Sequence, residues 1–265
     1  MFNNSFNHVC FMCLILFSYN SHPHYKLILA SNRDEFYERP TKQLHKWADK
    51  NILAGQDKMN NGTWLGLTAD WKLAAITNYR DLSNIKDNAP SRGLLVSNFL
   101  ENNDSPTNYL NKISTSASDY NGYNLLVGDK NGMYYFSNIE NKIEKIKPGV
   151  HGLSNRFLNT PWPKVENGKK EFERIIGLGK EIPIDEIFKL LSDTTQAPDE
   201  ELPDTGVGIE WERVLAPIFI KTEAYGTRAS SIILIDDNDQ ITLIEKSYLK
   251  INSGEFKTKT VRFNL

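Results

Sequence analysis

The sequence contains very little cysteine, with only Cys10 and Cys13 among its 265 residues. A disulfide scaffold is therefore excluded. The sequence also lacks a surplus of charge of either sign, because 31 Lys and Arg residues oppose 33 Asp and Glu residues and leave a formal net charge of −2. Proteins that bind nucleic acid through a basic field have a large positive excess, so we expect no nucleic-acid partner.

Long hydrophobic runs are missing as well. The run from Val9 to Phe17 has nine apolar residues, whereas a membrane-spanning helix needs roughly 20. A signal-peptide core can have this length, but residues 1–11 contain no Lys or Arg and no small-x-small cleavage pattern follows. We interpret the run as a buried strand and predict a cytoplasmic protein without a membrane span, with a secretory signal as the alternative.

Strand patterns at both ends of the chain flank a helical middle. The first two strands are joined by a turn at residues 20–24, which predicts a hairpin. Helices are expected from a Ser91 cap to about Asn102, from a Ser105 cap before Pro106, from Thr160-Pro161 onward, and around Ile184 to Leu191. Strands are expected over 13–19, 26–32, 51–54, 63–68, 72–78, 123–127, 133–137, 214–220, 230–236, 241–246 and 258–263.

This order of elements favours an α+β fold with antiparallel sheets. The run from Ser231 to Ile235 is almost continuously apolar, which is typical of a strand that is covered on both faces. Two stacked sheets with helices outside would bury such strands, so we predict a four-layer α-β-β-α sandwich. Residues 12–265 are expected to form one domain, and residues 1–11 are interpreted as a non-native leader or an over-long gene start.

The pair Met12-Cys13 could form an unusual catalytic group. If Met12 is the initiator, its removal would leave Cys13 with a free α-amine, whose pKa of about 7.7–8.0 allows it to act as a base near neutral pH. One residue would then supply both nucleophile and base. The alternative is an inert cysteine packed in the first strand. As the sequence is written, eleven residues precede Met12 and would deny Cys13 a free amine.

Two other patterns in this part of the chain give weaker signals. Cys10 and Cys13 match Cys-x-x-Cys, but no second pair of ligands stands at zinc spacing. His22 and His24 fall in the expected turn, where solvated side chains are the better interpretation. We therefore predict no metal site.

A polar segment, Asn32-Arg33-Asp34-Glu35, directly follows the apolar second strand. Burying such groups without partners is costly, so they must pair with each other, with solvent or with a ligand. The period of two places Asn32 and Asp34 on one face and Arg33 on the other. The hairpin would bring this segment beside Cys13, where Asp34 could hold an ammonium group and Asn32 or Arg33 could bind substrate. A solvated strand end with internal salt bridges is the alternative.

Three further polar groups stand where a predicted strand meets a loop. They are Asn78, Asn155 and Arg228. Side-chain amides can donate to an oxyanion, and an arginine is a fixed cation for a carboxylate or thiolate. Each alone is equally compatible with capping a loop.

Several short segments taken together resemble the NRDE family, which is the family of the transport and Golgi organisation protein 2. The resemblance covers essentially everything from Met12 onward, and family members begin at the equivalent of Met12. The segments that carry it are residues 12–17, 30–37, 39–41, 62–66, 77–80, 120–126, 152–155, 160–164, 202–206 and 225–228.

The resemblance implies a fold and a set of roles. The family is similar to N-terminal-nucleophile hydrolases of the choloylglycine and penicillin V acylase group, whose cysteine attacks an amide carbonyl. It implies that Asp34 holds the α-amine, that Asn78 is the oxyanion asparagine, that Asn155 is the second site asparagine, and that Arg228 lies near the thiol. The first arginine of the enzyme motif is Ser31 here, so substrate recognition by Arg33 is expected to differ.

The resemblance also implies two functions. The first is a cysteine hydrolase or acyltransferase that acts on an amide or acyl bond. The alternative is a non-catalytic factor that binds or carries haem or an acyl lipid, because the family is linked to Golgi organisation, secretion, haem trafficking and lipid metabolism. We expect no cofactor for the enzyme, with haem as a non-covalent ligand under the alternative. The expected partner is a small acyl, amide, lipid or haem molecule.

Overall fold

Two antiparallel sheets form the centre of the molecule. The computed structural model describes residues 13–48, 50–252 and 255–264. In the described residues, one sheet has six strands in the order β10-β1-β2-β11-β12-β13, and the other has seven in the order β3 to β9. The strands are β1 (Cys13–His22), β2 (Tyr25–Phe36), β3 (Thr41–Lys46), β4 (Leu53–Asp57), β5 (Leu65–Leu67), β6 (Leu73–Asn78), β7 (Tyr123–Asp129), β8 (Gly132–Ser137), β9 (Lys142–Lys145), β10 (Gly149–Leu153), β11 (Tyr225–Asp236), β12 (Ile241–Asn252) and β13 (Glu255–Asn264).

Helices cover the outer face of each sheet. The helices are α1 (Gly93–Glu101), α2 (Pro106–Ser114), α3 (Pro163–Ile176), α4 (Ile184–Leu191) and α5 (Ile209–Leu215). Helices α3 and α4 pack on the six-stranded sheet, and α1 and α2 pack on the seven-stranded sheet. The predicted α-β-β-α sandwich is therefore confirmed.

Alternation along the strands explains why β1 and β2 read as apolar runs. Ile15 and Phe17 of β1 point into the core between the sheets, whereas Leu14 and Leu16 pack against the helices. Both faces of the strand are buried, so odd-numbered and even-numbered positions can both be apolar. The same alternation in β2 places odd-numbered residues such as Leu29 between the sheets and even-numbered residues such as Ile28 under the helices.

The predicted hairpin at the start of the chain is confirmed. Strands β1 and β2 are antiparallel neighbours, with Cys13 opposite Arg33 and Phe17 opposite Leu29. The turn is tighter than expected and lies at Pro23 and His24. The part of the buried run that falls on residues 13–17 is a buried strand, whereas residues 1–12, with Cys10, Met12 and the expected leader, lie outside the described residues.

Several predicted elements were wrong or missed. Residues 214–220 do not form the expected strand, because Val214 and Leu215 end helix α5. Helix α1 has Arg92, not Ser91, as its N-cap residue. Helix α3 begins at Pro163 after Trp162, two residues later than Thr160-Pro161 suggests. Strands β3, β9 and β10 and helix α5 were not predicted.

No helix among residues 13–48, 50–252 and 255–264 is long and apolar enough to cross a membrane.

Candidate active site

A cavity of about 280 Å³ opens where the two sheets meet at one end. It lies at the start of β1 and the end of β2, next to the amino end of α1. Its lining is mainly polar or charged: Cys13, Arg33, Asp34, Glu35, Arg39, Asp57, Asn60, Thr63, Trp64, Ile76, Asn78, Ala89, Pro90, Ser91, Arg92, Gly93 and Asn121.

Cys13 is the first residue of β1 and is buried at the wall of this cavity. Its carbonyl oxygen accepts a hydrogen bond from Ser154 Oγ at 3.1 Å, which ties the start of β1 to the segment after β10. Burial raises the pKa of the Cys13 thiol to about 12, and the negative charge of Asp34 adds to the effect. The thiol is therefore protonated at neutral pH and needs a base to become a nucleophile.

Asp34 lies on the helix side of β2, as the alternation predicts. Its Oδ1 accepts a hydrogen bond from Thr227 Oγ1 of β11 at 2.6 Å. Burial raises the pKa of the Asp34 carboxyl, and the positive charge of Lys164 is the main influence that opposes the rise. The charge of this carboxyl group therefore depends on the groups around it.

Arg33 projects to the opposite side of β2, between the sheets. Its guanidinium group lies 4.1 Å from the ring centroid of Trp64 and donates to Thr41 Oγ1 at 3.2 Å. It also forms an ion pair with Glu35 at 3.4 Å. The stack fixes the plane of the guanidinium, so Arg33 presents a positive charge of defined orientation beside Cys13.

A second ion pair extends this wall of the cavity. Arg39 Nη2 lies 2.6 Å from Asp57 Oδ2 of β4, and Arg39 Nε lies 3.4 Å from Glu35. Two arginines and two carboxylates therefore alternate along the wall. Their charges balance, which lowers the cost of keeping them largely out of water.

The two predicted asparagines are linked by a hydrogen bond. Asn78 ends β6 and lines the cavity. Asn155 is fully buried, and its Nδ2 donates to the carbonyl oxygen of Asn78 at 2.8 Å. The backbone of Arg80 in turn donates to the carbonyl of Asn155 at 2.8 Å. Asn155 thus holds the end of β6 in place beside the cavity.

The side chains of Asn32 and Arg228 donate hydrogen bonds to backbone carbonyl groups. Asn32 Nδ2 donates to the carbonyl oxygens of Leu191 and Ile218, both at 2.8 Å, on the helix side of β2. Arg228 occupies a bulge of β11 opposite β2. Its Nη1 donates to the carbonyl oxygens of Phe36 at 2.7 Å and Arg39 at 3.2 Å, so it holds the chain that leads from β2 to Arg39.

The structure thus brings four of the seven predicted residues, Cys13, Arg33, Asp34 and Asn78, to one cavity. Asn155 and Arg228 support the chain at its rim, and Asn32 lies under the helices. Their chemical roles stay predictions.

Sequence reasoning missed several members of the site. The buried ammonium group of Lys164, near Asp34 and Cys13, comes from helix α3. Arg39 and the ring of Trp64, on which Arg33 stacks, were also missed. Lys164, Trp64 and Arg39 all lie in segments that carried the family resemblance, but no local pattern indicated that they would meet at Cys13. Within the described residues, no three His, Cys, Asp or Glu side chains are grouped to hold a metal ion.

The layered α-β-β-α architecture is also the fold of a solved amidase. The chain is similar to the Caenorhabditis elegans ortholog of N-acylethanolamine-hydrolyzing acid amidase, with a TM-score of 0.51 and 12% identity over 84% of this chain and 92% of that one. This likeness concerns the fold.

The chain belongs to the Transport and Golgi organisation 2 family, whose model matches residues 12–250. The Transport and Golgi organization protein 2 homolog of Bos taurus is 36% identical over 275 aligned positions, which cover 96% of this chain and 99% of the relative. The human homolog is 35% identical over the same extents. The family expected from the sequence is therefore confirmed.

Proposed function

We propose that this protein is a hydrolase or acyltransferase that uses Cys13 as an N-terminal nucleophile on an amide or acyl bond. One observation carries the proposal: the Cys13 thiol shares a cavity with Arg33, Asp34 and Asn78 at the open end of an N-terminal-nucleophile fold. The amidase with a similar fold supports the reaction class but not the substrate.

The proposed reaction needs the α-amine of Cys13. Burial holds the pKa of the thiol near 12, so few thiolates exist at neutral pH while residues 1–12 remain attached. Once Cys13 is the first residue, its α-amine, with a reference pKa of about 7.7–8.0, can accept the thiol proton. Cleavage before Cys13 therefore supplies the missing base.

The proposed reaction has two stages, acylation of Cys13 and transfer of the acyl group. The Cys13 sulfur attacks the acyl carbonyl carbon while its proton passes to the α-amine. The amide group of Asn78 donates a hydrogen bond to the oxygen that becomes negative. The ammonium group then protonates the leaving amine or alcohol, which leaves the acyl group on the Cys13 sulfur as a thioester. Water or another acceptor gives its proton to the α-amine and takes the acyl group, and the sulfur regains a proton from the ammonium group. Asp34 holds the ammonium group through this cycle.

The cavity limits what can enter. Its volume of about 280 Å³ is just below the range for small-molecule sites, roughly 300–1,000 Å³. Polar side chains line most of it. We therefore propose that the polar end of a small acyl or amide substrate binds there, with the reacting carbonyl beside Cys13.

Intact-mass analysis with an activated acyl ester tests the function. The chain is prepared with Cys13 as its first residue. This preparation also removes Cys10, so Cys13 is the one remaining cysteine. Cys13→Ser is the matched control. We expect one acyl adduct on the processed chain and none on the control or on the chain that keeps residues 1–12. Asn78→Ala is expected to slow acylation about 10²- to 10³-fold. A processed chain that takes no more label than Cys13→Ser would refute the proposal.

The alternative, a carrier of haem or an acyl lipid, stays a prediction from the resemblance. Among the described residues no contact favours it over the enzyme. A carrier does not need the thiol to react, so Cys13→Ser should bind ligand as well as the native chain. Titration with haem, followed by absorbance, would then give the same saturable change for both proteins.

A further inference from the structure

Lys164 is a buried lysine beneath the candidate nucleophile. It lies in the first turn of α3, which packs against β1, and its side chain is on the helix side of the six-stranded sheet. Its Nζ donates to the carbonyl oxygen of Leu215, at the end of α5, at 3.0 Å. An ammonium group is rarely buried unless an opposite charge is near, so the position of Lys164 calls for an anionic partner.

Two carboxyl groups act electrostatically on the ammonium group of Lys164, those of Asp34 and Glu212, but that of Glu212 is already paired. Glu212 of α5 lies 2.6 Å from Arg80 in a buried ion pair, and its other oxygen accepts from the backbone of Thr205 at 2.9 Å. Asp34 accepts from Thr227, an uncharged donor. The two cations and two anions of this compartment therefore balance when Arg80 pairs with Glu212 and Lys164 offsets Asp34.

The electrostatics of Asp34 and Lys164 agree with this pairing. Burial raises the pKa of Asp34 and lowers that of Lys164, so that each group would become neutral if it were alone. The charge of Lys164 is the largest influence that lowers the pKa of Asp34. Asp34 is the largest influence that raises the pKa of Lys164, against the repulsion of Arg80. Each therefore stabilises the charged form of the other.

We propose that Lys164 is a positioning residue whose ammonium group keeps the carboxyl group of Asp34 ionised in the buried compartment beneath Cys13. The consequence for catalysis rests on the proposed function: an ionised Asp34 can hold the α-amine of Cys13, whereas a neutral one cannot hold it by charge. Lys164 acts through Asp34 and needs no contact with substrate.

The pH dependence of Asp34 has few other sources. The charged or titratable groups that act on Asp34 or Lys164 are Cys13 on β1, Arg33 and Glu35 on β2, Tyr37 after β2, Arg80 after β6 and Glu212 on α5. Arg33 and Glu35 are paired with each other on the opposite face of β2. Removing the charge of Lys164 should therefore change the pKa of Asp34 more than removing any other of these charges.

Nuclear magnetic resonance of the full chain tests the proposal without any turnover. The carboxyl carbon of Asp34, labelled with ¹³C and assigned by its loss in Asp34→Asn, is titrated in native protein, Lys164→Met and Lys164→Arg. Removing the positive charge that most opposes the effect of burial should raise the pKa of Asp34 by about 1 unit. Lys164→Arg keeps the charge and should leave the titration near the native one. An unchanged titration in a folded Lys164→Met protein would overturn the proposal.

The reciprocal measurement covers the case in which Lys164→Met does not fold. Asp34→Asn keeps the shape of the side chain and removes its charge. The pKa of Lys164, followed through its ¹³Cε resonance, should then fall below the native value. No fall would overturn the proposal.

The acylation assay then separates this proposal from the proposed function. In processed chains, the acidic limb of the pH profile of Cys13 acylation should shift upward in Lys164→Met by the change seen for Asp34. Lys164→Arg should restore it. If native Cys13 never reacts, the proposed function fails, and the two titrations still decide whether Lys164 ionises Asp34.

Discussion

The two ends of the layer between the sheets are built from the same strands but are held together differently. At the closed end, Phe17 and Leu29 face each other across β1 and β2 in an apolar core. At the open end, Cys13 and Arg33 are the facing pair. Four residues of β1, roughly 14 Å at 3.4 Å per residue, separate the two environments.

The comparison shows how the two ends of a single strand can be stabilised by different interactions. Buried apolar area and close packing stabilise the closed end. Removing charges from water destabilises the open end, and ion pairs and hydrogen bonds offset that cost. We therefore expect the closed end to determine how stable the fold is, and the open end to determine how that stability depends on pH.

The largest effect should come from shortening Phe17. Its side chain is fully buried between the sheets, so Phe17→Ala should lower the free energy of unfolding by about 3–5 kcal/mol through lost contacts and a cavity. Urea denaturation measures the change. A loss below about 1 kcal/mol would mean that the layer collapses around the gap and that its packing is not what stabilises the fold.

A smaller effect, with a specific pH dependence, is expected from Glu245. This buried residue of β12 joins the sheets, because its Oε1 accepts from the backbone of Leu44 in β3 at 2.9 Å. Burial raises the pKa of Glu245. The folded state thus holds the proton more tightly than the unfolded state, and the native protein loses stability as pH rises from about 4.3 through the folded-state value.

Glu245→Gln removes that titration. At pH 4 the side chain at position 245 is neutral in both proteins. We expect the variant to be about 1–2 kcal/mol less stable there, because the amide weakens the hydrogen bonds that Glu245 makes with Leu44 and Ser247. The deficit should shrink between pH 4 and pH 7, because only the native protein then has to bury a charge. Urea denaturation at the two pH values tests this. A deficit that grows with pH would show that folding favours the carboxylate.

The smallest effect concerns two tyrosine hydroxyls away from the charged end. Tyr135 donates to Asn124 Oδ1 at 2.7 Å, so Tyr135→Phe should cost about 1 kcal/mol. The hydroxyl of Tyr123 is buried without a hydrogen-bond partner among the described residues. Tyr123→Phe is the matched control and should leave the free energy of unfolding unchanged or slightly raised. Equal losses in the two variants would contradict the assignment of the Tyr135 bond.

Local patterns were enough to predict the part of the site that the first hairpin builds. The contact between Cys13 and Arg33 follows from two adjacent strands and a short turn, and the opposite orientations of Arg33 and Asp34 follow from the period of two. The layered fold was predicted from strands whose residues are apolar on both faces. In each case the relevant residues are close in sequence.

The rest of the site depends on contacts between distant segments. Lys164 comes from a helix about 150 residues after Cys13, and nothing in its local pattern indicates which strand lies beneath it. Residues 214–220 were wrongly predicted as a strand because a short apolar run fits the end of a helix equally well. Strand β10 was missed because Gly149 and Gly152 resemble loop residues.

Because of the bulge at Arg228, the number of residues in this part of β11 cannot change without changing its register. Thr227 lies opposite Asp34 and Ala229 lies opposite Arg33, with one extra residue between them. Adding or removing a single residue here would reverse the alternation of β11 and turn Thr227 away from Asp34. A substitution at Arg228 would remove the donor to the carbonyl groups of Phe36 and Arg39 but leave the register of β11 unchanged. An insertion or deletion would displace a whole row of side chains.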